Sequence, residues 1–508
     1  CFTTMTEFNA KVIATLCLLL NSAAADVDSP QQIHIAAATR TSFRVSWKTE
    51  STVASQCSYG ASSDTSSQTS VVGEDGEQYL ENHGYHHTIL LENIPEDSVY
   101  YYQCGDGTLE NSSPVIEFKT APGSDKTAQI AIFGDWGWLD SVQRPVDLAL
   151  DGLEKNWTAT LTRELLEKLK DEEGMDMVYI TGDLGYSDDA FSHTGYTLHD
   201  GYEPCYDGWM QWQQNYSSIM PLMVAPGNHE SECHDVYCLD HVHSVGQKLN
   251  NFTAYNARFK MPSEESGGRA SMWASWDWGP VHVTSINTET DFSGAEEEFI
   301  GDSHFKFLPA GGFGTDGEYM AWVEQDLAKA SADPNVKWII AGGHRPFEDL
   351  PQDNADSLVS LFLKYNVSMY VCGHGHTYNR HDIADWGDNA IHIMAGASGS
   401  DETAYPEDQF ASSIDQFKEY GKTPRQACEE WCMLPSVQFM SGNKLVGDND
   451  DPCRHCHPTI GKLPVNDPVF FTDKMSVGVL TATQTTLEWK LLRAPDGLLI
   501  DSVSLSKD

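Results

Sequence analysis

Met177-Val-Tyr-Ile-Thr-Gly-Asp-Leu-Gly-Tyr186 is the stretch whose reading decides the fold. A β-favouring apolar run leads straight into Gly182-Asp183, and Tyr186 follows three positions later. Such a run predicts a buried strand that delivers a carboxylate at its C-terminal edge, where open α/β sheets hold their ligands. Glycine at that point lets the backbone turn sharply and approach a ligand closely. One Gly-Asp turn after a strand is commonplace, but here the pattern recurs. It returns in Ile130-Ala-Ile-Phe-Gly-Asp135, Leu222-Met-Val-Ala-Pro-Gly-Asn-His229, Trp338-Ile-Ile-Ala-Gly-Gly-His344 and Met369-Tyr-Val-Cys-Gly-His-Gly-His376. Five runs ending in glycine and then Asp, Asn or His predict a set of strands presenting polar side chains along one common edge.

Working outward, helical patterns alternate with these strands. Leu161, Leu165 and Leu169 recur at i, i+4, i+8 ahead of the Asp183 strand,. A second helix is expected around Gly208 to Met220 and a third near Ser357 to Tyr365. The alternation predicts βαβ architecture across residues 127–400, so several strand ends can converge. Ala121-Pro-Gly-Ser-Asp-Lys126 reads as a linker. Before it, residues 26–122 carry short strand-like runs (Gln32–Ala37, Ser42–Trp47, His87–Leu91, Val99–Cys104) and a Ser/Asp/Gly-rich stretch from Ala61 to Gly76 that reads as a long loop. That spacing predicts a β-sandwich, which Cys57 and Cys104 could bridge. Residues 401–465 form a polar, irregular insertion containing Cys428, Cys432, Cys453 and Cys456. Cys453-Arg-His-Cys456-His457 invites a zinc reading, but in an exported chain disulfides are the default. Alternating runs in residues 466–508 predict strands that close the core.

The 508 residues carry a formal net charge of −44. That balance argues against nucleic acid or an anionic membrane as partner, because both require a positive footprint. It suits a surface that tolerates acid. Residues 1–25 read as a secretory signal peptide, with Met5 as its start, an apolar run from Val12 to Leu20 and Ala23-Ala24-Ala25 for cleavage,. No stretch is long enough for a stable membrane anchor. A secreted protein, or one in the lumen of the secretory or vacuolar pathway, is expected. Asn111, Asn156, Asn215, Asn251 and Asn366 head glycosylation sequons,. Of 12 cysteines, Cys1 and Cys17 fall in the leader, and the even remainder are disulfide candidates,.

At the strand ends stand Asp135, Asp183, Tyr186, Asn228, His344, His374 and His376. Oxygen and imidazole donors without thiolates suit iron, manganese or zinc. Seven donors exceed the need of one tetrahedral centre. If Asp183, in the middle of the set, bridges, they make two sites with positions open to water or substrate.

These blocks carry a resemblance. Gly134-Asp135-Trp-Gly137, Gly182-Asp183-Leu-Gly-Tyr186, Gly227-Asn228-His229-Glu230, Gly342-Gly-His344 and Gly373-His374-Gly-His376 are similar, in order, to those of the metallophosphoesterases. Tyr186 points within that superfamily to the purple acid phosphatases, as do His376-Thr-Tyr378-Asn-Arg380 and Ala395-Gly-Ala-Ser-Gly399. The resemblance implies a two-sheet α/β sandwich preceded by an all-β, fibronectin type III-like domain. It implies that Asp135, Tyr186 and His376 hold iron(III), that Asn228, His344 and His374 hold divalent iron, zinc or manganese, and that Asp183 bridges. A phenol ionises only near pH ~10 in water, so a strongly Lewis-acidic ion must displace its proton in acid. The implied reaction is hydrolysis of a small phosphate monoester by direct attack of a metal-bound hydroxide. His229 would stabilise the phosphoryl oxygens or protonate the leaving group. Many relatives carry further histidines after the His344 block, whereas this chain reads Arg345-Pro-Phe-Glu-Asp-Leu-Pro. Arg345, Glu348, His193 or His199 could compensate, and Asn228, His229, Arg345, His193 and His199 are the candidate substrate contacts. The competing readings are a phosphodiesterase or nucleotide-cleaving relative and a non-catalytic metal- or glycan-binding homologue. Neither the natural substrate nor the oligomeric state is legible.

Overall fold

The structure is a computed structural model that describes residues 28–137, 159–189, 198–231, 251–295, 312–382, 390–399, 423, 426, 459–460, 463–464, 469–494 and 496–507. The first part is a β-sandwich. Strands β1 (Gln31–Thr39), β2 (Ser42–Thr49), β3 (Gln56–Gly60), β4 (Thr69–Val72), β5 (Tyr85–Leu91), β6 (Val99–Gly105) and β7 (Ile116–Lys119) form two sheets, ordered β1-β2-β5 and β4-β3-β6-β7. Alternation along β5 buries Ile89 and Leu91 against Phe43, Val45 and Trp47, as a half-buried strand requires. Cys57 and Cys104 face each other across β3 and β6 and form a disulfide. Strand β4 lies inside the stretch from Ala61 to Gly76 read as a loop. Its residues are mostly exposed, so it lacks the apolar period that marks a strand.

The second part is two mixed sheets. The next strands are β8 (Ala128–Phe133), β9 (Trp136–Gly137), β10 (Met177–Ile180), β11 (Leu184–Gly185), β12 (Leu222–Val224), β13 (Ala274–Trp278), β14 (Val281–Ser285), β15 (Trp338–Gly342), β16 (Met369–Cys372), β17 (Tyr378–Asp382) and β18 (Ile391–Ala395). A two-strand hairpin of β19 (Thr459–Ile460) and β20 (Leu463–Pro464) follows, then β21 (Phe470–Thr472), β22 (Ser476–Ala482), β23 (Thr486–Arg493) and β24 (Leu499–Ser506). One sheet runs β12-β10-β8-β22-β23-β24 and the other β13-β14-β15-β16-β18-β17-β21. The expected fold class, an α/β sandwich behind an all-β domain, is the one observed.

Each sheet contains a run of parallel strands: β8, β10 and β12 in one, β14, β15, β16 and β18 in the other. Their burial is continuous rather than alternating, because both faces of a parallel sheet are covered,. The sheets face each other, with the Tyr179 hydroxyl donating to Ser285 Oγ at 2.9 Å between them. Helices α1 (Ala159–Lys168), α2 (Leu198–Ser217), α3 (Thr253–Arg258), α4 (Glu318–Ala332) and α5 (Gln352–Lys364) accompany the strands. Helix α2 starts ten residues earlier than its apolar pattern predicts, and Pro204 lies within it. Among the described residues no helix is long and apolar enough to cross a membrane.

The sandwich is locked onto the second part by buried charge. Arg258 at the end of α3 donates to Glu203 on α2 at 2.6 Å, pairs with Asp207 at 2.8 Å and stacks over Tyr206. Lys48 on β2 pairs with the same Asp207 and the Tyr79 hydroxyl with the same Glu203. Cys205 and Cys372 are buried, and Cys372 carries no disulfide, so not every one of the candidate cysteines is bridged. Cys428, Cys432, Cys453 and Cys456 lie outside the described residues, as does Asn156. Asn215 and Asn366 are exposed, Asn251 is half-buried, and the Asn111 amide donates to Asp106 at 2.7 Å.

Candidate metal centre

The seven strand-end residues converge. Asp135 follows β8, Asp183 and Tyr186 flank β11, Asn228 opens a short turn (Asn228–Glu230) after β12, His344 follows β15, and His374 and His376 follow β16. The short parallel pair β9–β11 ties the Asp135 and Asp183 loops together. Five of the seven occupy the left-handed region: Asp135, Asp183, Tyr186, His374 and His376, with φ from 47° to 70°. For tyrosine and histidine that conformation is strained, and strain of this kind gathers at functional sites.

Close approach explains two of the glycines. A Cβ on Gly227 would stand 2.2 Å from Asp183 Oδ1, and one on Gly373 would stand 2.3 Å from Asp135 Oδ2. Here glycine precedes a candidate donor because the bare backbone cradles another donor's carboxylate.

Two donor clusters share one residue. Asp183, His344 and His374 offer atoms within 4.8 Å of one another, and so do Asp135, Asp183 and His376. Tyr186 Oη joins the second cluster, at 2.9 Å from His376 Nε2, 3.3 Å from Asp135 Oδ1 and 3.5 Å from Asp183 Oδ2. Asn228 Oδ1 joins the first at 2.9 Å from His344 Nε2, which also lies 3.1 Å from Asp183 Oδ2. Metal–donor bonds of about 2.0–2.2 Å at tetrahedral or octahedral angles separate neighbouring donors by about 2.8–3.6 Å. The observed spacings match.

Proton counting leads to the same conclusion. The His344 Nδ1–H donates to the Thr181 carbonyl at 2.9 Å. In the neutral ring Nε2 then carries a lone pair, facing two oxygens that are themselves acceptors,. A second ring proton or a metal ion between them reconciles the three. Burial works against a charged His344, yet the Asp183 carboxylate raises it to about 10. Asp183 in turn ionises more readily than usual, since His344 and His229 outweigh its burial. His374 is pushed well below its ordinary value by burial and then by the Arg345 guanidinium, and so stays neutral, as a ligand must,. A metal-ligating histidine typically donates its other N–H to a carbonyl, and the His344 Nδ1–H has such a partner in Thr181.

Around the donors stand residues that sequence reading missed. Glu230 accepts the backbone N–H groups of Asp183, Leu184 and Gly227 at 2.7–3.0 Å, fixing two ligand loops at once. Burial and then the Asp183 charge push it up, to about 8. His229 is beside the centre without entering either cluster. Its backbone N–H donates to Asp183 Oδ1 and its ring packs on Tyr186 with centroids 4.2 Å apart. The ring Nδ1–H donates to Asp188 at 3.0 Å, which places Nε2 on the Asp183 side, 3.9 Å from Oδ2. Asp188 follows Tyr186 by two residues, and that proximity was the available signal. Arg345 is brought to the centre, with Nη1 3.2 Å from His374 Nε2. Glu348 lies in the adjoining Phe347–Asp349 turn. His193 lies outside the described residues, and of His199 only its place at the start of α2 is described.

Comparison with known proteins agrees with this geometry. The family described as "Purple acid Phosphatase, N-terminal domain" matches residues 30–120, and "Calcineurin-like phosphoesterase" matches residues 128–378. An acid phosphatase of Aspergillus ficuum is 25% identical, over 83% of this chain and 76% of its own. Acid phosphatase A of Cryphonectria parasitica is 28% identical, over 74% of this chain and 82% of its own. Purple acid phosphatase 23 of Arabidopsis thaliana is 25% identical, over 70% and 74%. Among solved structures, a purple acid phosphatase from yellow lupin (Lupinus luteus) seeds superposes with a TM-score of 0.62 at 18% identity, covering 95% of this chain and 75% of that one. The two family matches follow one another along the chain, and the second spans all seven strand-end donors: this chain belongs to the purple acid phosphatases of the metallophosphoesterase superfamily.

Proposed function

We propose that the chain is an exported acid phosphatase that hydrolyses small phosphate monoesters directly, without a covalent phosphoenzyme. The observation that supports this most is the sharing of Asp183 between two donor clusters. Asp135, Tyr186 and His376 would hold iron(III), and Asn228, His344 and His374 a divalent iron, zinc or manganese. When bound, such a pair supplies Lewis acidity and activates water at a pH where free water is inert.

The chain's own residues do the rest. Asn228 is neutral and leaves the second cluster less negative, which suits a divalent ion. Asp188 holds the His229 tautomer, so Nε2 is the atom able to carry a proton to the departing oxygen or meet a phosphoryl oxygen,. Export accords with the leader read at residues 1–25 and with the Cys57–Cys104 disulfide, which an oxidising compartment sustains,.

The test compares p-nitrophenyl phosphate with bis(p-nitrophenyl) phosphate in acid, alongside metal analysis. Faster monoester turnover that tracks metal content is expected. A faster diester rate, or no turnover with both metals bound, would overturn the reading.

A further inference from the structure

Arg345 follows His344 directly, and its guanidinium reaches the donor His374. Its guanidinium is fixed by a buried carboxylate. Nε donates to Glu289 at 2.9 and 3.1 Å, and neither side chain is more than 7% exposed. Glu289 also accepts the Thr288 hydroxyl at 2.9 Å. The Thr288 oxygen accepts the backbone N–H groups of His344 and Arg345 at 3.2 and 3.0 Å. The Tyr370 hydroxyl donates to the Arg345 carbonyl at 2.6 Å. One connected set of hydrogen bonds therefore fixes both a metal-ligand histidine and the arginine beside it.

The orientation matters. Glu289 takes the Nε edge, while Nη1 lies on the His374 side, 3.2 Å from Nε2. Placing a permanent cation beside a site for metal cations is unfavourable by itself, since like charges in a dry site repel strongly. The placement becomes favourable when an anion with several terminal oxygens lies between them. Arginine presents a planar fork of donors suited to phosphate oxygens. A phosphate monoester has three terminal oxygens and a diester has two. If ions held by the two donor clusters took two of these oxygens, only the monoester would keep a third for the guanidinium,.

We infer that Arg345, oriented by Glu289, takes the third terminal phosphoryl oxygen and sets the preference of this site for monoesters over diesters. Arg345 touches substrate and Glu289 positions it. The inference rests on the phosphatase reading above and adds to it the group that discriminates.

The experiment measures kcat/KM of Arg345→Ala, Arg345→Lys and Glu289→Gln on p-nitrophenyl phosphate and bis(p-nitrophenyl) phosphate. Inorganic phosphate binding by calorimetry and metal content accompany it. Loss of one donor to a developing oxyanion costs on the order of 10²–10³-fold. Arg345→Ala is therefore expected to lose about that factor on the monoester, to change little on the diester, and to bind phosphate correspondingly more weakly with metal content unchanged. Arg345→Lys keeps the charge without the fork, and Glu289→Gln keeps the arginine without its anchor. Both should lower the monoester-to-diester ratio by less, and either one suffices if the alanine variant does not fold. Equal losses on both substrates would overturn the inference, as would loss of metal, which would make Arg345 a support for His374. If the wild type binds metal but turns over neither ester, the phosphatase reading fails, and weaker phosphate binding in Arg345→Ala still decides the role of the arginine.

Discussion

Gly227→Ala isolates the packing around the carboxylate that the two donor clusters share. Gly227 has φ −115° and ψ −174°, a conformation open to any residue, so alanine brings no backbone strain there. It brings only a methyl group, 2.2 Å from Asp183 Oδ1 and 2.6 Å from the Asp183 backbone nitrogen. Non-bonded carbon contacts settle near ~3.5 Å, so the methyl and the carboxylate must separate by roughly 1 Å. Neither partner yields easily: the Asp183 and Gly227 N–H groups are both held by Glu230. Overpacking of this kind costs about 1–3 kcal/mol, which a large domain survives. A displacement of about 1 Å at a reacting site costs on the order of 10²-fold. The variant should therefore fold, lose metal from both clusters together, and fall in turnover by about 10²-fold or more. Metal per chain by elemental analysis, far-ultraviolet circular dichroism and kcat on a monoester read the three quantities. Gly174→Ala is the control, because Gly174 has φ 75° with nothing within 4 Å of its Cβ position. It should cost stability of about 1 kcal/mol and leave metal and turnover alone. Two metals per chain and near-normal turnover in Gly227→Ala would refute the argument.

The other expectations are as direct. If Tyr186 binds iron(III) as a phenolate, the protein absorbs in the visible and Tyr186→Phe bleaches it; a colourless, iron-replete, active wild type would sink that assignment. His229→Ala should keep metal and colour and lose about 10²–10⁴-fold in turnover, more on an alkyl than on an aryl phosphate if Nε2 supplies the proton; loss of metal would make it a ligand. Stability should fall as pH rises through the neutral range. Burial opposes charge on His282, but its hydrogen bonds to Asp277 and Asp326 raise it to about 9, so its contribution is full below about 6.5 and is lost as pH passes through 9. Burial outweighs the Trp278 and Gln129 hydrogen bonds at Asp176, raising it to about 7, so its contribution is full below about 3.9 and is lost towards pH 7. A thermal midpoint that climbs across that range would contradict both.

Much of the fold was legible because its parallel strands are buried on both faces and therefore read as uninterrupted apolar runs. Ile130–Phe133, Met177–Ile180, Trp338–Ala341 and Met369–Cys372 are all of this kind, each followed within two residues by a glycine. Where the signal was weak, so was the reading. Thr69–Val72 is a strand exposed along most of its length, paired to β3 by backbone bonds its side chains do not announce. The first ten residues of α2 include Gly201 and Pro204, which lower helix propensity,. The hairpin Ala274–Ser285 did carry a sign that passed unread: two β-favouring runs separated by Gly279-Pro280,.

The site divides along the same physical line. Donors at strand ends are announced by the strands before them. The residues that hold those donors are not, because each acts across a long separation in sequence. Glu230 reaches back 47 residues to the Asp183 N–H, and Glu289 meets Arg345 56 residues on. Yet the donors stay in place only through them. Left-handed residues cost of order 1–3 kcal/mol each, and five of the seven donors adopt that conformation. Released from the Glu230 bonds, the β9–β11 pair and the Thr288 hydroxyl, these loops would relax to ordinary φ and the donors would part. The polar residues that a sequence reading passes over are thus the ones that keep the legible donors in conformations they would not hold alone.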